Sequence, residues 1–197
     1  MVMLGGLHTE MALRNVLGGL LGGSGWTSAL TEAEVTSPGT AQSMLKAAHL
    51  IHTRHAHQVI LSAFSILQRE AFLLSKSSED EERLSAWRIG MIAKSPTFMF
   101  WDLILRYQTL IHILIKAHRL KNFPLYVSVL EELTHLSFTL DHVNYARWVS
   151  VHIRDMKSLP QPIKEEFENR GNWVVSKTST SFLQFRLAKL TSKKTAT

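Results

Sequence analysis

The sequence predicts a mainly α-helical single domain of about seven helices, with one or two short strands at its ends. Three observations carry that prediction. Apolar residues recur at helical spacing over most of the chain. Three helix-start signals of one kind, Ser37-Pro38, Ser95-Pro96 and Asn122-Phe123-Pro124, punctuate it. Seven of the ten glycines fall before residue 26, so the long middle is free to stay helical. With 197 residues, 45% of them hydrophobic, the chain suffices for one domain with a buried core. The helical domain, with short strands near both ends, is expected over residues 1–176, and a basic, disordered tail over 177–197.

Met1 to Leu4 is apolar and stops at Gly5-Gly6, as a strand entering a turn would. Thr9 is placed to cap a first helix through Met11, Leu13, Val16, Leu17 and Leu20, which Gly22-Gly23 ends. Trp26 to Glu34 reads as a short helix. After Ser37-Pro38, helical spacing runs from about Ala41 to Ser75, with a break near Thr53; Leu45, Ala48, Ile51, Val59, Leu61, Phe64, Leu67 and Ala71 would face inward. Ser77-Ser78 and the acids that follow suit a capped start for the helix holding Trp87, Ile89 and Met91.

Ser95-Pro96 opens the most apolar helix, about Thr97 to Arg119, on which Asp102 and Arg106 stand four apart and can pair. Asn122 starts the next, with Leu125, Val129, Leu133, Leu136 and Leu140 on one face. Asp141 is placed to cap a helix carrying Tyr145, Trp148, Val149, His152 and Met156. Pro160 and Pro162 stop it. One short helical turn, Ile163 to Asn169, ends at Gly171, and Trp173-Val174-Val175 reads as a strand.

Charge is unevenly placed. After Glu168 there is no acid and there are six bases: Arg170, Lys177, Arg186, Lys189, Lys193 and Lys194. The other 16 bases match all 16 acids, so the net charge of +6 belongs to the last 28 residues. A solvated tail is the plain reading. Weak, sequence-independent contact of the tail with nucleic acid or an acidic partner, through Lys189, Lys193 and Lys194, is the functional one. The chain has no cysteine, which removes disulfides and thiolate metal sites and suits an intracellular place, nucleus or cytoplasm. No membrane span is expected, because Asp102 and Arg106 interrupt the apolar run from Thr97 to Ile115.

Enzyme motifs fail one by one. His8-Thr9-Glu10 matches half of the zinc deaminase signature, but the other half needs two cysteines. The glycine-rich stretch Gly18 to Gly25 lacks both a following lysine and the dinucleotide glycine order. His49, His52, His55 and His57 crowd nine residues, yet Arg54 among them would repel a metal ion, and hydrogen-bonded surface or half-buried histidines are the better account. Asp102, Asp141 and Asp155 are the isolated aspartates a two-metal nuclease would need, and each has a helix role instead. No metal or cofactor is expected. The densest polar-aromatic stretch is Asp141 to Trp148, where His142, Asn144, Arg147 and His152 could form a binding site; the competing reading packs Tyr145 and Trp148 inward and lays Arg147 along the surface.

Three stretches carry a resemblance: Gly5 to Ala12, Ser24 to Ala33, and Asn122 to Tyr126 with Leu140 to Trp148, extended by His152 to Lys157. Over roughly residues 3 to 180 the chain resembles a group of uncharacterised, multi-copy animal proteins similar to mobile-element products. That resemblance implies descent from a transposase-like protein, with a core of ribonuclease H type. It also implies a fragment, since the group extends beyond both ends of this chain. The first expectation is therefore a transposon-derived remnant without independent catalysis. The alternative is a helical binding module that uses its basic tail. The third is a metal-dependent nuclease or strand-transfer enzyme.

Overall fold

The structure, a computed structural model, describes residues 5–75, 81–138 and 143–174. Nine helices occur among them: α1 (Gly6–Leu21), α2 (Trp26–Glu32), α3 (Pro38–Met44), α4 (Leu50–Leu74), α5 (Glu81–Lys94), α6 (Pro96–Arg119), α7 (Phe123–Phe138), α8 (Val143–Lys157) and α9 (Gln161–Arg170). The chain is thus mainly helical and forms one domain. Two helices more than expected arise: the run from about Ala41 to Ser75 divides into α3 and α4, and the expected short turn at Ile163–Asn169 is a ten-residue helix, α9.

The clearest division lies at residues 45–49. Ala47 and His49 take left-handed φ angles of 55° and 51°, which reverses the chain between α3 and α4. A non-glycine residue pays for that conformation, so it signals a turn that tertiary packing enforces. Gly18 shows what packs there. A side chain at this position would collide with the backbone of Leu45, so α1 and the α3–α4 turn approach as closely as glycine allows.

Two of the three start signals cap as read, and the third starts its helix without a serine cap. Ser95 Oγ accepts from Phe98 N at 3.2 Å and Asn122 Oδ1 accepts from Leu125 N at 3.0 Å. α3 begins at Pro38 as predicted, with Ser37 Oγ turned to Thr40 Oγ1. Thr9 does not cap. α1 starts three residues earlier, and Thr9 is buried, its hydroxyl donating back to Gly5 O at 3.1 Å. The predicted cap at Ser77-Ser78, the cap at Asp141 and the strand Met1 to Leu4 lie outside the described residues. Trp173 and Val174 form a turn, not a strand; among the described residues no strand occurs.

α6 is the central element. It packs against α1, α4, α5 and α7, while α8 and α9 cover the far side of α7. The core joins Leu13, Leu17 and Leu21 of α1, Trp26 and Leu30 of α2, Ile104, Ile111 and Leu114 of α6, Leu130, Leu133 and Leu136 of α7, and Val149, Ile153 and Met156 of α8. Each fully buried leucine contributes about 1.5–3 kcal/mol. α6 is also the helix, among the described residues, that is long and apolar enough to cross a membrane by length and composition. It packs against four other helices, with Ile104, Ile111, Leu114 and Ala117 buried among them.

Away from this core, the second half of α4, α5 and the first half of α6 form an arm. Its inside is a row of rings, Phe72, Trp87 and Phe98, with centroids 5.6 and 5.5 Å apart. None of the described side chains of α5 is fully buried. Ile51 and Leu67 were expected inside and are exposed; α4 instead turns Thr53, Ala56, His57 and Ile60 inward. The expected Asp102–Arg106 pair does not form. Asp102 is buried and takes Arg88 (2.8 Å) and Gln68 (3.0 Å), tying α6 to α5 and α4, while Arg106 reaches Glu132 of α7 at 2.8 Å.

Candidate functional site

The polar centre of the molecule is built on α1. Glu10, 4% exposed, accepts from Arg14 Nε at 2.9 Å, four residues along its own helix. It also accepts from Arg54 of α4, at 2.8 Å from Nε and 2.5 Å from Nη2. Burial alone would push its carboxyl up, but the hydrogen bonds and charges of the two guanidinium groups outweigh that and hold it below the usual value. Arg54 gains from the same pair, which raises its pKa. Arg14 is fully buried, and burial lowers its pKa against the pull of Glu10. Its Nη1 and Nη2 have no hydrogen-bond partner among the described residues.

Histidines surround this ion pair. His57 lies against the Trp26 ring, with Nδ1 3.0 Å from Gln108 Nε2. An amide nitrogen donates, so Nδ1 accepts and the ring carries its proton on Nε2. Burial, and then the charges of Arg14 and His112, lower its pKa to about 3, so it is neutral. His112 has the opposite tautomer: its Nδ1 lies 2.8 Å from the Gln108 carbonyl, which can only accept. Nε2 of His112 is therefore the unprotonated nitrogen, and it is buried without a partner. His118 packs edge-on to Tyr126 and tilted on Trp173, at 4.8 and 4.9 Å, so tightly over Gly6 that a side chain there would strike its ring. Burial lowers the pKa of His112 and of His118.

Two adjoining cavities open beside these groups. A cleft of about 400 Å³ is lined by Gly6, Glu10, His118, Tyr126, His152 and Trp173 among others, and Val174 lies on its rim. Tyr126 Oη and His152 Nε2 meet at 2.7 Å in its wall. Burial raises the Tyr126 pKa, so the phenol keeps its proton. A smaller recess of about 200 Å³ lies between α4 and α6, lined by Arg54, Gln58, His112, Ile115, Lys116 and Arg119. Arg54, Ile115 and Arg119 border both cavities. The recess has three cations and no carboxylate in its lining.

Of the residues proposed from the sequence, Arg147 and His152 are the two whose side chains the structure describes. His152 is buried and turned to α7, whereas Arg147, five positions back on α8, is exposed. Asn144 is in α8, and its side chain lies outside the description; His142, Lys189, Lys193 and Lys194 lie outside the described residues altogether. Trp148 points outward, 44% exposed, rather than into the core. Of the histidine cluster, His49, His52 and His55 are exposed and only His57 is buried. Of the aspartates, Asp102 is held by Arg88 and Asp155 by Arg154 at 3.0 Å. No group of three metal-ligating side chains occurs among the described residues.

Glu10, Arg14 and Arg54 escaped the sequence reading. One signal could have found the first two. They are the only charged residues of α1, four apart on an otherwise apolar helix. Such a pair is as consistent with burial as with solvent.

No curated protein and no solved structure matches the chain. A family match covers residues 75–187, more than half of the chain. It takes in α5 to α9 with His112, Lys116, Arg119, Tyr126 and His152, and leaves out Glu10 and Arg54. The chain belongs to that family, described as a domain of unknown function, DUF8702.

Proposed function

We propose that this chain is a helical binding domain of mobile-element ancestry that holds a nucleic-acid partner by its phosphates, in the nucleus or cytoplasm. One observation carries the reading: Arg54 from α4 and Lys116 and Arg119 from α6 converge on a recess whose lining holds no acid. Paired cations held by a rigid frame attract phosphate through counterion release, whatever the base sequence. The position of Val174 supports the same reading. It lines the cleft that Arg54 and Arg119 also line, and the sequence that follows it carries Lys177, Arg186, Lys189, Lys193 and Lys194.

The test is fluorescence anisotropy with labelled single- and double-stranded DNA over a salt series. Binding should weaken steeply as salt rises, by a log–log slope near −0.7 to −0.9 for each phosphate neutralised. Deleting residues 177–197 and substituting Lys116 and Arg119 together by alanine should each flatten that slope. Magnesium-dependent cleavage of the DNA would replace this reading with the nuclease one. Neither binding nor cleavage would leave a remnant without activity.

A further inference from the structure

We propose that the recess between α4 and α6 receives a terminal phosphate, the phosphomonoester at the end of a nucleic-acid strand. The inference rests on the phosphate-binding reading above and narrows it from any backbone phosphate to an end group.

The argument begins with the shape of the cation set. Lys116 and Arg119 sit in the last turn of α6, where bases often do no more than complement the helix dipole. That account does not reach Arg54, which comes from another helix and is fixed in place. Its Nε and Nη2 are bound to buried Glu10, which leaves Nη1 outside that pair and orients the guanidinium plane. A guanidinium fixed with one nitrogen to spare, beside two further cations, suits the compact head of a phosphomonoester, with three terminal oxygens, better than a backbone phosphodiester with two.

The second strand of the argument is His112. Its Nδ1 donates to the Gln108 carbonyl, so its Nε2 carries a lone pair. That nitrogen is buried and has no partner among the described residues, and His112 is one of the residues lining the recess. Leaving such an atom unpaired is unfavourable, so a ligand that supplies a hydrogen is favoured there. A phosphodiester within a strand has no P–OH to give. A phosphomonoester, with a second pKa near 6, carries one in its monoanionic form. The proton is then shared between a phosphate oxygen and Nε2, and no covalent bond changes. The Gln58 side chain, also on the wall, offers an amide to a further oxygen.

The experiment compares one single-stranded oligonucleotide carrying a 5′-phosphate with the same strand ending in a 5′-hydroxyl, using the full chain at about 150 mM salt. The phosphorylated strand should bind at least tenfold tighter. Alanine at both Lys116 and Arg119, which are exposed and should leave the helical circular dichroism unchanged, should abolish that preference while the tail still supports weak binding of both strands. Nitrogen-15 spectra of the histidine rings should show His112 Nε2 shifting with the phosphorylated strand and not with the other. Equal affinity for the two strands would overturn the proposal and leave the DNA-binding reading intact. Binding of neither strand would overturn both. Inorganic phosphate alone binding as tightly as the phosphorylated strand would assign the recess to free phosphate and overturn the nucleic-acid end as its source.

Discussion

Acidification should unfold this protein earlier than its carboxylates require, because His57 is kept neutral in the core. In the unfolded chain its imidazole takes a proton near pH 6.5, whereas in the fold it does so only at about pH 3. Between those values the unfolded state binds the extra proton, so stability falls as pH falls. Each pH unit inside the window costs about 1.4 kcal/mol, and the step from pH 7.5 to 5.0 should cost about 2 kcal/mol from this residue alone. His112 and His118 also have lowered pKa values and act in the same direction. Glu10, held below 4.5, loses its contribution only at lower pH, outside that step. Urea unfolding followed by circular dichroism at the two pH values, on the native chain and on His57→Gln, isolates the effect. The glutamine keeps an acceptor for Gln108 and does not titrate. Its loss between pH 7.5 and 5.0 should be smaller than the native chain's by about 2 kcal/mol. Equal losses in the two proteins would refute the reasoning.

Two further substitutions test the polar centre. Glu10→Gln leaves the fully buried Arg14 without its ionised partner, and a stability loss of about 3–5 kcal/mol should appear in the same urea assay; a loss below about 1 kcal/mol would mean that the pair is not buried as described. Tyr126→Phe removes the hydrogen-bond partner of His152 in a buried wall and should cost about 1–3 kcal/mol, seen as a lower thermal midpoint with unchanged helicity. An unchanged midpoint would show that the hydroxyl contributes nothing there.

What could be read beforehand was local. Ser95-Pro96 and Asn122-Phe123-Pro124 announce helices because the cap and the first turn lie within four residues of each other. The apolar face of α7 was readable for the same reason: Val129, Leu133 and Leu136 repeat at helical spacing and are buried. The turn at residues 45–49 was not, because it uses left-handed Ala47 and His49 where a glycine or proline would have marked it. The site was the least readable part. Glu10 and Arg54 are 44 positions apart, and nothing in either neighbourhood says that they meet. His57 was counted with three exposed histidines, since spacing alone does not reveal which ring turns inward. Asp102 and Arg106 had the right separation for a pair, but each found a better partner on another helix. Trp148 illustrates the opposite error: the reading that packed it inward placed in the core a ring that stands outside it.

The arm of α4, α5 and α6 has a consequence for how the molecule breathes. Its inward rings are few, none of the described side chains of α5 is fully enclosed, and Ile66, Leu74 and Ile89 already stand in water. Opening it therefore uncovers little new apolar surface, while the ionic centre and the recess sit at the other end of α4 and α6. Amide protons of α5 should exchange with deuterium at a lower free energy than those of α7, through an opening that leaves the bundle around Leu114 and Leu133 closed.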